Sequence, residues 1–335
     1  MNHPTQESSP PSSSLKTRFI ATLLFLIPII VILLTYPTAN EWRKNATDST
    51  VKIEKPFPET NILAKAAYVW DVENQKIIYA KNEKEPLPLA SLAKVMTALV
   101  AWEDKGGEEK IKITSDSIRQ EGDSGLKNEE KWKLKDLIDF SLVTSSNDGI
   151  YAVASAIESV RSGSTTTEMT CGRENEPDAE SSRENFMDLM NKKAKEISLN
   201  QTFYLNETGL DSSDNVSGGY GSAEDMAKLF AYIIKNNPEV LEATAYDEIK
   251  LVSLDDIDHK AKNTNEITGA IPNLIASKTG YTGISGGNLI VAFDLGLMRP
   301  IIISVLGSTI DGRFEDMEKL IDATVNYLTD KNTEN

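Results

Sequence analysis

The stretch PLPLASLAKVMTALVAWE, residues 86–103, predicts a helix that is buried on most of its surface. From Leu92 to Ala101 nearly every residue is apolar, and a helix that is apolar all round packs inside a protein. Ser91 stands at the start of this helix and Lys94 lies inside its first turn. The lysine needs an explanation, because burying an ammonium group without a partner costs free energy.

Ser91 and Lys94 allow two interpretations. In the first, Ser91 caps the helix and Lys94 extends its ammonium group to solvent. In the second, the two side chains share one helix face and come within hydrogen-bonding distance. A buried lysine near another cation loses proton affinity, and a neutral amine beside a serine hydroxyl is a general base. The backbone N–H groups at the helix start are then available to an oxyanion.

The amino-acid composition limits which partners and catalytic groups the protein can use. The chain has 335 residues and a net charge of −16, which argues against a nucleic-acid partner. Its single cysteine, Cys171, excludes an intrachain disulfide and a cysteine zinc site. The two histidines are His3 and His259, so a serine–histidine–acid triad would depend on His259 alone. We expect no metal and no cofactor, and if the protein is a hydrolase, a base other than histidine.

An uncharged run of 18 residues, 19–36, predicts a membrane anchor or, alternatively, a signal sequence that is cleaved. Lys16 and Arg18 precede the run, which predicts a cytoplasmic tail over 1–18 and export of the rest. Residues 37–60 are polar and are predicted to be a linker.

The folded part shows strand patterns at both ends and helix patterns between them. Residues 64–82 predict two strands around a turn, and four segments rich in Ile, Val and Leu predict strands near the C-terminus. We therefore expect an α+β fold (an α/β/α sandwich), with one antiparallel sheet built from both ends, flanked by helices, and an inserted helical lobe. Residues 161–185 lack periodicity and predict a disordered insertion.

Two further polar groups occur in apolar surroundings. TSSND, residues 144–148, separates two apolar helices, and SKTG, residues 277–280, ends a strand. TSSND is either an ordinary turn with a helix cap or one wall of a cleft formed by Ser145 and Asn147. SKTG is either a polar strand end before a turn, or a strand edge that pairs with an extended peptide beneath a lysine.

The order S-x-x-K, S-x-N, K-T-G resembles that of the penicillin-recognising serine enzymes. The stretches PLASLAKVMTALVA, EGDSGLKNEEKWKLKDLIDFSLVTSSNDG and SKTGYTGISGGNLIVAF resemble the D-alanyl-D-alanine carboxypeptidase branch, the S11 peptidases. The resemblance covers roughly residues 60 to 328. It implies a β-lactamase/transpeptidase-like fold and a catalytic DD-peptidase domain over 61–330.

The resemblance also implies catalytic roles. Ser91 would be the acylated nucleophile and Lys94 its base. Ser145 would pass a proton to the leaving D-alanine amine, and Asn147 would hold the substrate amide. Lys278 would keep Ser145 and Lys94 in an activated electrostatic environment.

The implied substrate-binding residues follow the third motif. Thr279 would contact the substrate carboxylate, and Gly280 would allow close approach of the peptide. The backbone N–H groups of Ser91 and Tyr281 would form an oxyanion hole. Arg313 would help to bind the terminal carboxylate, although it is also explained as a surface helix cap.

The implied function is removal of D-alanine from peptidoglycan stem peptides ending in D-Ala-D-Ala, with β-lactams as covalent inhibitors. The membrane would be contacted through residues 19–36, with the catalytic domain on the extracytoplasmic side; a cleaved segment would give a secreted protein. Three alternatives remain: a DD-endopeptidase, a β-lactamase of the same fold, and a non-catalytic sensor of muropeptides or β-lactams.

Overall fold

The computed structural model describes residues 56–161, 178–296 and 298–333. The chain divides into two units, Met1–Pro56 and Phe57–Asn335, and the description below concerns the second. The predicted membrane segment 19–36 lies outside the described residues. In the part of the chain that is described, no helix combines the length and apolar character needed to cross a membrane.

Strands occur at both ends of the folded unit and most helices lie between them, as the sequence patterns predict, and the structure adds short strands within the helical part. The strands are β1 (Ala66–Asp71), β2 (Lys76–Lys81), β3 (Leu87–Pro88), β4 (Lys110–Lys112), β5 (Lys131–Lys133), β6 (Phe203–Tyr204), β7 (Gly219–Gly221), β8 (Glu248–Val252), β9 (Asp258–Lys262), β10 (Leu274–Thr282), β11 (Gly286–Asp294) and β12 (Pro300–Ser308). The helices are α1 (Ala93–Lys105), α2 (Leu134–Thr144), α3 (Asn147–Arg161), α4 (Asp178–Glu196), α5 (Ala223–Asn236) and α6 (Gly312–Thr333).

One five-stranded sheet joins the two ends of the folded unit. Its order is β10-β11-β12-β1-β2, and every neighbouring pair is antiparallel. The chain's N-terminal hairpin therefore pairs with its C-terminal strands, for example through Trp70 opposite Ile302. This confirms the predicted α+β fold with an antiparallel sheet built from both ends of the domain.

Helices cover both faces of this sheet, which explains why β11 and β12 are apolar almost without interruption. Successive side chains in a strand point to opposite faces. Val291 and Ile303 accordingly pack with Met317 of α6 in one apolar cluster, whereas Ile290 and Ile302 belong to a second cluster. The second cluster also contains the buried apolar residues of α1 and α5.

The helical lobe is inserted between β2 and β10 and is centred on α1. Every residue of α1 from Ala93 to Ala101 is buried, including Lys94. Helices α2, α3 and α4 pack against α1, and the 3-10 turn Ala90–Leu92 that precedes it packs against β10. The nucleophile candidate is thus placed where the lobe meets the edge strand of the sheet.

The predicted disordered insertion is wrong for its last part. Residues 178–185 form the first turns of α4, and residue 161 ends α3. Residues 162–177 lie outside the described residues. The sequence pattern missed the helix start because 178–185 contains one apolar residue, Ala179, and a helix without an apolar stripe has no periodic signal.

Asp316 ties the segment before β1 to α6. Its buried carboxylate accepts hydrogen bonds from the backbone N–H groups of Leu63 (2.9 Å) and Ala64 (2.8 Å) and from the Ser308 hydroxyl (2.7 Å). We expect Asp316→Ala to lower the free energy of unfolding by about 3 kcal/mol, because it leaves these donors unpaired in the interior. Denaturant unfolding followed by circular dichroism measures the change.

The exposed Glu318 on the same helix supplies the control, since Glu318→Ala removes a carboxylate of the same kind from solvent. A loss below about 1 kcal/mol in Asp316→Ala, the typical effect of an average substitution, would contradict the anchoring role of Asp316.

Candidate active site

The turn before α1 holds the Ser91 hydroxyl without using it as a helix cap. Leu92 occupies the N-cap position of α1, and no side chain accepts a capping hydrogen bond there. Ala90 has a φ of 49°, a left-handed conformation that alanine rarely adopts. Strained backbone of this kind persists where the surrounding structure enforces it, often at functional sites. The capping interpretation of Ser91 is therefore wrong.

Lys94 is fully buried and its amine has two partners. Its Nζ donates a hydrogen bond to the backbone carbonyl of Thr208 at 2.6 Å and lies 2.9 Å from the Ser91 Oγ. Burial lowers the pKa of Lys94 from its ordinary value of 10.5 to about 7, against the opposing effect of the Glu207 charge. The amine is therefore neutral in a substantial fraction of molecules at physiological pH, as a general base requires.

In TSSND, residues 144–148, the helix cap and the group that faces the third motif are two different serines. Ser146 is the helix cap, because its hydroxyl accepts a hydrogen bond from the Gly149 N–H at 2.9 Å. Ser145 is the C-cap residue of α2 and has a left-handed conformation, with φ 60° and ψ 32°. Its hydroxyl oxygen lies 2.8 Å from the Nζ of Lys278.

Asn147 is oriented by a loop that sequence patterns do not connect with it. Its Nδ2 donates to the carbonyl of Glu121 at 2.6 Å, while its Oδ1 is buried without a hydrogen-bond partner among the described residues. The same loop places the Ser124 hydroxyl between Ser146 (2.7 Å) and Asp148 (2.8 Å). An unused acceptor in a cleft is suited to a donor supplied by a ligand.

Lys278 on β10 joins the third motif to the second. Its Nζ contacts the carbonyl of Thr279 at 2.8 Å in addition to Ser145. Burial lowers the pKa of Lys278 well below its ordinary value, and the charges of Lys94 and Arg313 lower it further. The positive charge of either buried lysine therefore disfavours protonation of the other.

Gly280 permits a close approach between β10 and the turn that carries Ser91. A Cβ atom at this position would lie 2.8 Å from the Leu89 carbonyl oxygen and 3.3 Å from the Ser91 nitrogen. A residue with a side chain would push the strand away, so glycine is required where β10 meets the turn. The following residue, Tyr281, leaves half of its side chain exposed. The Ser91 N–H is thereby placed at the edge of β10.

Arg313 lies behind this strand. Its Nη1 donates to the Gly280 carbonyl at 3.1 Å, and its guanidinium carbon is 4.6 Å from the centre of the Phe314 ring. The side chain is buried, so the alternative of a surface helix cap is wrong. Its Nε is buried without a hydrogen-bond partner among the described residues.

A turn that the sequence analysis missed supports Lys94. Asn206 Oδ1 accepts hydrogen bonds from the backbone N–H of Gly209 (2.7 Å) and of Thr208 (3.2 Å). Gly209 has a φ of +77°, and a Cβ there would lie 1.9 Å from the carbonyl oxygen of Ala90. The spacing of asparagine and glycine in NETGL indicates a turn. Nothing in the sequence indicates that the turn presents a carbonyl group to Lys94.

His259 lies in β9 and belongs to a different cluster. Its Nε2 is 2.6 Å from Glu130 Oε1, and the rings of Trp132 and Phe140 pack around it. Ser91 instead has a lysine as its hydrogen-bond partner. Across the described ranges, no group of three or more His, Cys, Asp or Glu side chains is arranged to hold a metal ion.

Together the three motifs form one cleft with two lysine–serine pairs. The pairs are Lys94 with Ser91 and Lys278 with Ser145, both at hydrogen-bonding distance. A neutral amine beside a hydroxyl generates a nucleophile, and a backbone N–H at the strand edge can stabilise an oxyanion. The arrangement is therefore suited to acyl transfer through serine.

Comparison with known proteins agrees with this geometry. A family model described as D-alanyl-D-alanine carboxypeptidase, peptidase S11, matches residues 50–166 and 178–309. D-alanyl-D-alanine carboxypeptidase DacF of Bacillus subtilis is 31% identical over 268 residues, which are 77% of this chain and 61% of that protein. The chain thus spans about three fifths of the length of this curated relative.

Two solved structures are similar in fold. Penicillin-binding protein D2 from Listeria monocytogenes in its ampicillin-bound form has a TM-score of 0.60 and 26% identity, and the match covers 79% of this chain and 99% of that chain. An evolved putative penicillin-binding protein homolog from Mycobacterium tuberculosis has a TM-score of 0.66 and 20% identity, over 82% and 94% of the two chains. At this identity the second likeness concerns the fold alone.

We expect Lys94 to titrate near pH 7, because its burial lowers the pKa to about 7. Carbon-13 NMR of chains labelled at the lysine Cε measures this titration, and Lys94→Met assigns the signal by removing it. A Lys94 signal that stays protonated to about pH 9 would rule out a neutral base at working pH.

The lowered pKa of Lys94 also predicts that the stability of the folded protein depends on pH. Between pH about 7 and 10.5 the unfolded chain retains a proton that folded Lys94 has lost. The contribution of Lys94 to the free energy of unfolding therefore rises with pH through this window. Wild type should gain stability relative to Lys94→Met as the pH rises, as measured by denaturant unfolding.

Proposed function

This chain belongs to the S11 family of D-alanyl-D-alanine carboxypeptidases, and we propose that it is a serine-type D-Ala-D-Ala carboxypeptidase acting on peptidoglycan stem peptides. The observation that carries the proposal is the contact of the buried Lys94 amine with the Ser91 hydroxyl at 2.9 Å. The neighbouring pair of Lys278 and Ser145 supplies the second group that the reaction needs.

Acylation begins at Ser91. The neutral Lys94 amine accepts the hydroxyl proton while the Ser91 Oγ attacks the carbonyl carbon between the last two D-alanine residues. The tetrahedral oxyanion is stabilised by the backbone N–H groups of Ser91 and Tyr281. The close packing of Gly280 on the turn supports this pairing, because it places the strand edge beside the Ser91 nitrogen.

Release of D-alanine requires a proton for its amine. Ser145 donates its hydroxyl proton to the leaving nitrogen and is resupplied from Lys94, which holds the proton taken from Ser91. Lys278, 2.8 Å from the Ser145 oxygen, holds that hydroxyl in place. The Oδ1 of Asn147 accepts the N–H of the substrate amide, which gives this buried acceptor the partner that it has nowhere among the described residues.

The terminal carboxylate distinguishes a carboxypeptidase substrate from a cross-linked one. The Thr279 hydroxyl donates a hydrogen bond to the carboxylate, and the Arg313 guanidinium attracts the carboxylate through its charge from behind Gly280. Water then hydrolyses the acyl-enzyme and frees the shortened peptide. A β-lactam forms the same ester with Ser91, and the ampicillin-bound state of the Listeria relative supports this inhibition.

Membrane attachment is a separate part of the proposal. We place the catalytic domain, residues 61–330, on the extracytoplasmic side, attached by a single span over 19–36. The support is an uncharged run of 18 residues preceded by Lys16 and Arg18.

The attachment is tested by fractionation of cells that express the full chain. We expect wild type in the carbonate-washed membrane fraction and Leu26→Arg/Ile30→Arg outside it, because a charge at the centre of a span costs about 3 kcal/mol. Wild-type protein in the soluble fraction with residues 1–36 removed would instead identify a cleaved signal sequence.

Ser91→Ala should abolish both D-alanine release from a D-Ala-D-Ala pentapeptide and covalent labelling by benzylpenicillin, because the acylated oxygen is gone.

Lys94→Arg should reduce acylation by about 10²–10⁴-fold, since guanidinium cannot act as the base. Release of D-alanine and the mass of the acyl-enzyme are followed together.

Lys105→Arg, at the other end of α1, is the matched control and should retain activity. Retention of D-alanine release or penicillin labelling by Ser91→Ala would overturn the mechanism. Penicillin labelling of wild type without D-alanine release would favour the binding function of a sensor, and rapid penicillin turnover would favour a β-lactamase.

A further inference from the structure

Thr264 contacts the elements that carry both the second and the third motif. It lies on the segment Asn263–Glu266, which follows β9. Its hydroxyl oxygen is 2.6 Å from the hydroxyl oxygen of Thr279 on β10. Its backbone N–H donates to the carbonyl of Val143 at 3.1 Å, two residues before Ser145. No sequence pattern indicates a role for Thr264, because both contacts are distant along the chain.

The position of Thr264 is set by its neighbours before any substrate binds. Asn263 is buried, and its Nδ2 donates to the carbonyls of Thr244 (3.0 Å) and Tyr246 (2.9 Å). The backbone N–H of Asn265 donates to the Oδ1 of Asn263 at 2.9 Å. The Thr264 hydroxyl therefore contacts Thr279 from a segment that is anchored on both sides.

The direction of the hydrogen bond between the two hydroxyl groups depends on what else they contact. Each hydroxyl has one hydrogen and two lone pairs, so in the free protein either Thr264 or Thr279 can be the donor. A carboxylate only accepts hydrogen bonds. Once Thr279 donates its hydrogen to a carboxylate, the bond between the threonines persists only if Thr264 donates it.

We propose that Thr264 is a positioning residue for the C-terminal carboxylate of the substrate: by donating to Thr279, it directs the Thr279 hydrogen toward that carboxylate. The inference rests on the proposed function, which supplies the carboxylate. Thr264 acts through Thr279 and does not itself touch the substrate.

The surrounding charges explain why a pair of neutral hydroxyl groups is needed here. Burial lowers the pKa of Arg313, and the negative charges of Glu266 and Asp311 act in the opposite direction. These carboxylates offset part of the attraction that Arg313 exerts on an anionic ligand. An oriented hydroxyl donor adds a directional hydrogen bond without adding a further charge to the cleft.

The test compares two pentapeptides that end in D-Ala-D-Ala, one with a free carboxylate and one with a C-terminal amide. Thr264→Val removes the hydroxyl and keeps the shape. We expect it to lower kcat/KM for the free acid by about tenfold, chiefly through KM, because hydrogen bonds to charged groups are the stronger ones. For the amide we expect a change within about twofold.

Three further variants make the result specific. Thr264→Ser keeps the hydroxyl and should preserve the acid-to-amide ratio of wild type. In a Thr279→Val background, Thr264→Val should have no further effect on that ratio, because its partner is gone. Thr114→Val removes a hydroxyl from a similar pair, Thr114 and Ser117 at 3.0 Å, and should leave the ratio unchanged.

The outcomes separate this inference from the proposed function. An active wild type whose acid-to-amide ratio is unchanged in Thr264→Val overturns the role of Thr264 alone, as does an equal loss on both peptides. A wild type that releases neither D-alanine from the free acid nor D-alanine amide from the amidated peptide overturns the proposed function and this inference with it. Thr264→Ala, with the same expected ratio, replaces the valine variant if the latter does not fold.

Discussion

The rest of the site depends on the burial of one amine, that of Lys94. Removal from water lowers its pKa to about 7, and two contacts, the Thr208 carbonyl and the Ser91 hydroxyl, determine its orientation. A neutral amine has two hydrogens and one lone pair. The carbonyl accepts one hydrogen, which leaves the lone pair available to Ser91. The apolar residues of α1 hold the amine dry, so packing and chemistry on this helix have the same cause.

A second buried lysine, Lys278, adds an electrostatic constraint to the site. Lys278 is buried on β10, and the charge of Lys94 is one reason for its lowered pKa. Two like charges in a dry cleft oppose each other, so a proton taken up by one side chain is readily passed on. Gly280 is the steric condition for this proximity, because any side chain there would separate β10 from the turn that carries Ser91.

Local patterns predicted most of the fold, for reasons that can be named. The Ile- and Val-rich segments of β10, β11 and β12 are buried over most of their length, and a run of apolar residues is a local pattern that predicts a buried strand. The start of α4 was missed because its first residues have no apolar stripe. The turn Asn206–Gly209 can be recognised from its local sequence, but its contact with Lys94 cannot, because the two are more than 100 residues apart along the chain.

The sequence by itself determined which residue types carry the chemistry: a serine and a lysine three apart on an apolar helix, and two more polar groups in a fixed order, in a chain with two histidines. The spacing of apolar and polar residues is a local property of the chain, so these features can be recognised from the sequence alone. Only the tertiary structure decided that Ser146 is the cap while Ser145 faces Lys278, and that Thr208, Glu121 and Thr264 support the motifs. These contacts join residues far apart along the chain, and folding alone brings them to hydrogen-bonding distance.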